Sequence, residues 1–491
     1  MGYAHREGFT LTPRAEEADV IVVNTCCFIE PARQESIDTI LEMARLKETG
    51  RCKRLVVAGC LVQRHAEELR RSLPEVDAFI GLDQLDRVVD AIRTTASAGP
   101  VGPRSALGRQ LPQPEGPASA PVSQMGKSLR RCKPRHGAAV GPGSSASVGA
   151  RAPAPSAESP TSGMGLGRST WIYGAETPRR LAGPPWTAYL KISEGCDNPC
   201  SFCSIPAFRG AHRSRPLEDI VREAGRLAAS GVRELNLIAQ DSTLYGRDLG
   251  LRDGPARLLR ALNKIRDLKW IRLFYLYPNR VSRPLLEAIA GCDRVVKYID
   301  IPLQSASRAV LARMKRGGGR REMMALVGRM RRAVPGLAIR TAFIVGFPGE
   351  TEREFRETLG LVREAEFDHV GVFAYSHEEE TAVHEEFDDD VAPEVKEERQ
   401  ARLMAAQEKI ALRRNRSRIG KTLEVLCEGT CPETDLLLAG RMASQAPEID
   451  GSVLINDGMA APGEFVRVTI TQAHPFDLVG RVAAGPQVRS A

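Results

Sequence analysis

The sequence predicts an α/β protein in three parts: an amino-terminal parallel α/β domain, a larger α/β barrel and a small carboxy-terminal antiparallel β-barrel. Three observations lead there. Short β-branched runs alternate with helical stretches over most of the chain, the pattern of parallel sheets covered by helices. Residues 97–168 interrupt that pattern, with 45 of 72 positions Gly, Pro, Ala or Ser and no aromatic side chain. Beyond Gly420 the texture shortens to strands separated by turn residues. With 491 residues and 42% hydrophobic content, the chain has material for more than one core.

The first domain, residues 1–96, is read from two apolar runs, ADVIVVNTC at 18–26 and RLVVAGC at 54–60. Each is short, β-branched and bounded by polar residues, as a buried parallel strand is. Between them, residues 35–46 carry Ile37, Ile40, Leu41 and Ala44 at helical spacing, behind Pro31 in a first helical turn. The result is a β-α-β unit with Cys26 and Cys60 at the carboxyl ends of its strands, the edge at which open parallel sheets bind ligands. The stretch 97–168 has no hydrophobic period and is expected to be a disordered insertion, its Cys132 incidental.

The second domain, residues 169–419, opens on WTAYLKISEGC, a strand ending in a cysteine loop. Further strands are expected at 234–239, 271–277, 298–301, 339–345 and 369–374, with helices between, which implies a partial or complete α/β barrel. A long charged helix at 395–418, just after Pro393, closes it. The last domain, residues 420–491, offers strands at 423–427, 436–442, 465–470 and 478–483.

Charge narrows the function classes. The net charge is +8, yet residues 97–168 alone hold nine Lys/Arg against two Asp/Glu, so the folded parts are close to neutral and no uniformly basic face is implied. The last 71 residues hold five Lys/Arg against nine Asp/Glu, a surface suited to a basic protein rather than to phosphates. No run reaches the roughly 18 apolar residues of a membrane span, and MGYAHREGFT lacks a signal-peptide pattern, so a cytoplasmic protein without a membrane partner is expected. Eleven cysteines are too few and too unevenly placed for a disulfide scaffold, which directs attention to their spacing.

Cys196, Cys200 and Cys203, in SEGCDNPCSFCSIP, follow the first strand of the second domain. Three thiolates within eight residues can wrap one iron-sulfur cubane, and three ligands for four irons leave one iron open to bind a cofactor and pass it an electron. The alternative is a zinc loop, for which His212 is the nearest fourth ligand. Phe202, just before the last cysteine, favours iron, because this spacing with an aromatic resembles the signature of radical S-adenosylmethionine enzymes.

The likeness extends along the chain. VIVVNTC, VAGC, KISEGCDNPCSFCSIP, AQDSTLYGRD, YIDIPLQSAS, AFIVGFPGET and APEIDGSVLI, in this order, resemble the radical S-adenosylmethionine methylthiotransferase family, with its amino-terminal cysteine domain, radical domain and TRAM barrel. KISEGC, YLYP and YIDIPLQSAS are most similar to the RimO type, which methylthiolates the β-carbon of an aspartate in small-subunit ribosomal protein S-twelve, and the acidic barrel agrees with a protein substrate. The resemblance implies two 4Fe-4S clusters: one on Cys196, Cys200 and Cys203 that binds S-adenosylmethionine, and an auxiliary one whose ligands include Cys26 and Cys60. It further implies a reducing electron donor such as flavodoxin or ferredoxin, and a sulfur donor.

The family pattern places a third auxiliary cysteine in a G-C-x-K-N-type loop after an initial strand, whereas MGYAHREGFT reads as the end of a first helix. Two expectations follow: a start assigned too late, with the first β-α unit upstream, or a short chain in which Cys27 takes the third place. A transfer-RNA methylthiotransferase of the same family is the nearest rival, although a basic terminal barrel would be expected of it. A non-catalytic interaction protein is the reading of another class.

Weaker candidates lie at predicted strand ends, where barrel ligands bind: Gln240 and Asp241 in AQDS, Gln304 in PLQS, Arg340 opening IRTAFIV, and Gly346 to Gly349 in VGFPGE. Each could touch cofactor or substrate, or only satisfy loop backbone and turns. Tyr275 and Tyr277 are expected in the core. Cys52 and Cys292 are expected to be inert, Cys427 and Cys431 to lie at a strand end and turn, and the acidic run 385–390 to be a solvated loop.

Overall fold

The computed structural model describes residues 1–93 and 169–483; the expected insertion and its Cys132 lie outside the described residues. The amino-terminal domain is a parallel sheet in the order β1 (Val20–Thr25), β2 (Arg54–Gly59), β3 (Ala78–Ile80). Leu55, Val56 and Val57 of the central strand are fully buried, while edge strand β1 alternates buried Ile21 and Val23 with exposed Val22. A helix over Glu30–Thr49 carries Pro31 in its first turn and covers one face through Ile40, and Gly2–Arg6 is helical. The sequence reading missed β3, three residues long, and the helix Cys60–Ser72 that leaves β2.

Six strands form the two parallel sheets of the central domain: β4 (Thr187–Lys191), β7 (Glu234–Ile238) and β8 (Trp270–Leu273) in one, and β9 (Tyr298–Asp300), β10 (Ala338–Val345) and β11 (His369–Ala374) in the other; β5 (Ser193–Glu194) and β6 (Arg213–Ser214) pair separately. A bridge between Ile271 and Val295, and the bond from Leu276 N to Asp300 O at 2.9 Å, join the two sheets. Among the described residues β4 and β11 are not paired, so the barrel is partial. Alternation sends Leu190, Leu235, Leu237, Ile271, Ile299, Phe343 and Val345 into the shared core with the helices. On the opposite, inner face the polar side chains of Asn236, Arg272, Asp300 and Arg340 lie among Tyr189, Trp270, Tyr298 and Ala338. The long charged helix runs Pro393–Arg416.

The carboxy-terminal domain is a closed barrel in the order β12 (Thr422–Cys431), β13 (Thr434–Arg441), β14 (Val453–Asp457), β16 (Leu478–Val482), β15 (Phe465–Ala473). It has one strand more than expected, VLIND, and this strand pairs in parallel with β16, so the barrel is not wholly antiparallel. The five residues of β14 sit between turn-rich segments, which hid them.

This barrel seals the amino end of the central one. Trp270, Tyr298 and Ala338 at the strand starts, with Phe274 behind them, pack on Leu426, Ala446 and Phe465. Glu234, fully buried, accepts from Arg441 at 2.6 Å and from Arg272 at 3.2 Å. Burial works to raise the Glu234 carboxyl, but the two guanidiniums outweigh it and hold the group below its ordinary range. Asp450 accepts from the Tyr298 hydroxyl at 2.7 Å and pairs with Arg340 at 3.5 Å. Among the described residues no helix is long and apolar enough to cross a membrane.

Candidate active site

The three-cysteine loop leaves β4 at the carboxyl mouth of the barrel. Two-residue strands β5 (Ser193–Glu194) and β6 (Arg213–Ser214) pair antiparallel and clasp its ends. At Gly195 the chain turns with φ of +79°, and a Cβ there would lie 2.1 Å from the Ala211 carbonyl oxygen, so the turn into Cys196 demands glycine. Backbone bonds from Cys196 N to Gly210 O (3.2 Å) and Ser201 N to Met314 O (3.1 Å) set the loop on the barrel. Asn198 Nδ2 donates to Cys196 Sγ at 3.2 Å and to Asp241 Oδ2 at 2.8 Å, and Arg280 Nη1 donates to both Asn198 Oδ1 (2.6 Å) and Asp241 Oδ2 (2.9 Å). Arg280 and Arg316 lie over the ring of Tyr277, 4.7 and 4.5 Å from its centroid.

Burial raises all three thiols, Cys203 to about 12, so metal must displace protons to bind. His212 does not join them: its Nε2 lies 3.1 Å from Ser214 Oγ. Among the described residues no three His, Cys, Asp or Glu side chains converge on a single ion position. Three thiols on one loop fit a cubane, in which each iron takes one thiolate, better than a tetrahedral zinc.

The second pair of cysteines follows from strand register. Thr25 pairs with Gly59, so Cys26 and Cys60, the next residues of each strand, emerge side by side at the sheet's carboxyl edge. Gly59, with φ of +118°, must be glycine because a Cβ would sit 2.5 Å from the Thr25 carbonyl oxygen. Cys26 is exposed and Cys60 half-buried. Cys27 points the other way, into the domain core, and burial pushes its thiol up to about 12, so the structure does not support it as a substitute ligand. Two thiols are a partial donor set for a second cluster. They face the barrel mouth: Arg209 Nη2 donates to Cys60 Sγ at 2.9 Å, and Glu30 N to Glu378 Oε1 at 2.8 Å.

Of the weaker candidates, Gln240 donates to Glu194 Oε1 at 3.2 Å beside the loop, and Asp241 anchors Asn198. Gln304 sits at the mouth in a left-handed conformation, φ +70°. Arg340 is not at the mouth: it sits in the amino half of β10, paired with Asp300 at 3.2 Å and with Asp450 of the terminal barrel, because IRTAFIV begins at the sealed end. Gly346 serves packing, its N–H bonding Glu350 at 2.7 Å and its open side filled by Lys396. Phe202 packs against the hydrophobic core. The strand expected to run to Tyr277 stops at Leu273; beyond it Tyr275 is exposed, with φ of +58°, and Tyr277 is half-buried, so neither belongs to the core. Cys52 and Cys292 are buried; Cys427 is buried within β12 rather than at its end, and Cys431 is buried as the last residue of that strand, next to the turn. The acidic run is not simply solvated: Asp389 pairs with Lys396 at 2.7 Å and Asp390 accepts from Gly349 N at 2.7 Å.

Sequence reasoning missed Glu194, Asn198, Arg209, Arg280 and Arg316. Glu194 and Asn198 stood inside the cysteine motif and could have been tested as its neighbours; the arginines carry no local pattern.

Comparison with known proteins agrees with this division of the chain. Residues 190–362 match the Radical SAM superfamily, residues 1–81 the uncharacterized protein family UPF0004, and residues 419–483 the TRAM domain. Similar curated proteins include the ribosomal protein uS12 methylthiotransferase RimO of Koribacter versatilis, 43% identical over 98% of this chain and 92% of the relative. Those of Solibacter usitatus (44%, over 99% and 91%) and Geobacter sulfurreducens (41%, over 98% and 94%) carry the same name.

Proposed function

Because the chain belongs to the ribosomal protein uS12 methylthiotransferase RimO family, we propose that it adds a methylthio group to the β-carbon of an aspartate in ribosomal protein uS12. In this reading Cys196, Cys200 and Cys203 hold a 4Fe-4S cluster, and Cys26 and Cys60 contribute to a second one. The observation that carries it is the placement of three thiols on one loop at the barrel mouth, with the Cys26–Cys60 edge docked against the same mouth.

When bound, the clusters and S-adenosylmethionine supply radical cleavage of an unactivated C–H bond, the sulfur and the methyl group. The protein supplies placement and dryness. Asn198, held by Asp241 and Arg280, fixes Cys196, while the terminal barrel packs apolar side chains and a buried ion-pair cluster against the floor. An electron donor of the flavodoxin or ferredoxin kind and a sulfur donor complete the system. The acidic terminal barrel suits a basic ribosomal protein.

Anaerobic reconstitution followed by mass spectrometry of uS12 tests this. Methylthiolated aspartate is expected with the unaltered chain, and Cys203→Ala should lose about four irons per chain together with S-adenosylmethionine cleavage. No cleavage by the reconstituted chain would favour a non-catalytic interaction protein. RNA binding of useful affinity that weakens steeply with salt would favour the transfer-RNA substrate.

A further inference from the structure

Two arginines cross between the amino-terminal domain and the central barrel in opposite directions. Arg209 ends the short helix Ile205–Arg209 that follows Cys203. Its Nη1 donates to Glu194 Oε1 at 2.7 Å and its Nη2 to Cys60 Sγ at 2.9 Å. Arg64, on the helix that Cys60 begins, donates to the Cys27 carbonyl at 3.0 Å, the Glu379 carbonyl at 3.2 Å and the Glu380 carboxylate at 3.1 Å. Both guanidiniums approach the ring of buried Phe208, at 5.9 and 6.0 Å from its centroid.

Glu194 makes this more than a surface contact. It is 3% exposed, stands two residues before Cys196, and also takes Lys191 and Gln240 as partners. Arg209 therefore spans the whole cluster loop: its backbone lies beyond the last cysteine, one arm reaches Glu194 two residues before the first cysteine, and the other reaches the sulfur of Cys60. A planar fork with two diverging donors can do this; a lysine ammonium on a flexible stem can satisfy one acceptor at a time. Removing the cation would leave the Glu194 carboxylate and the half-buried sulfur each short of a partner.

We propose that Arg209 is a positioning residue that locks the Cys60 sulfur, and the group it carries, at a set distance from the Cys196–Cys203 loop. This rests on the proposed function in taking Cys60 as a cluster ligand. The lock would let the two halves of the site act as one without direct contact between their ligands.

The test compares Arg209→Leu and Arg209→Lys in the full chain by two readouts. In metal-free protein, amide hydrogen exchange over residues 60–72 should quicken about tenfold in Arg209→Leu, the loss of one charge-assisted bond, and less in Arg209→Lys. In reconstituted protein with uS12, Arg209→Leu should keep 5′-deoxyadenosine formation within about twofold while methylthiolated product falls about tenfold or more, with partial rescue by Arg209→Lys. Unchanged exchange overturns the lock, and so does an equal loss of cleavage and product, which would mean that Arg209 serves only the radical loop. Quickened exchange in a chain whose unaltered form never modifies uS12 would sink the proposed function while leaving the lock standing.

Discussion

At the amino end of the central barrel, Glu234 is wholly buried between Arg441 and Arg272, and Trp270 stands edge-on to Phe465 with ring centroids 4.8 Å apart. At the carboxyl end, Arg64 meets a Glu380 carboxylate that is 48% exposed, and Arg209 meets a sulfur. Both contacts join domains through arginines, but the first is dry and backed by an apolar cluster and the second is partly wet and polar. The dry floor can only be right or broken, since a buried charge without its partner has no water to turn to. At the mouth, the Glu380 carboxylate keeps water within reach whether or not Arg64 holds it.

The comparison is tested most severely at the floor. Arg441→Ala leaves Glu234 with Arg272 as its one cation beside the Thr187 hydroxyl, and removes the bond to Glu428, at an expected cost of about 3–5 kcal/mol. Trp186 and Trp270, two of the three tryptophans, pack at this interface, so release of the terminal barrel should red-shift the emission. The same signal has a pH signature. Because Glu234 is held below its ordinary carboxylate value, its contribution is complete above that value and is lost as pH falls through the lowered one. The unaltered protein should therefore open its floor only in acid below the normal carboxylate range, and Arg441→Ala at a higher pH. Unshifted emission in the variant would mean that apolar packing alone holds the floor.

This difference between the ends also explains what could be read beforehand. The cysteine loops were legible because cluster ligation forces thiols into short spacings and parallel sheets present them at strand ends. The floor was not. Glu234 opens an ordinary strand, ELNLIA, and its partner Arg441 is 207 residues away on another domain. Arg340 was assigned to the mouth because a strand end is visible in sequence, whereas which end is capped by a later domain is not. The strand expected over 271–277 overshoots because the apolar, aromatic run continues past Leu273, and only the left-handed Tyr275 shows that the chain has already left the sheet.

A middle-sized effect is expected at the cluster loop. Gly195→Ala places a Cβ against the Ala211 carbonyl in a backbone region that side chains rarely adopt, about 1–3 kcal/mol of local strain. The loop is exposed to this strain but the floor is not, so the variant should lose iron from the three-cysteine site while its tryptophan emission and acid transition stay as in the unaltered chain. Iron retained at full stoichiometry would show that the loop can be re-formed around a side chain, and that the clasp made by β5 and β6 does not dictate its geometry.

The smallest effect should come from Glu380→Gln. Arg64 keeps its bonds to the Cys27 and Glu379 carbonyls, and the lost carboxylate was half in water, so about 0.2–1 kcal/mol is expected, shrinking further as salt rises. Denaturant midpoints would scarcely register it. Hydrogen exchange over residues 60–72 at low and high salt would, because only the mouth is affected: a small rise at low salt that vanishes at high salt fits a wet latch. A loss as large as that from Arg441→Ala would mean that the mouth is as dry as the floor.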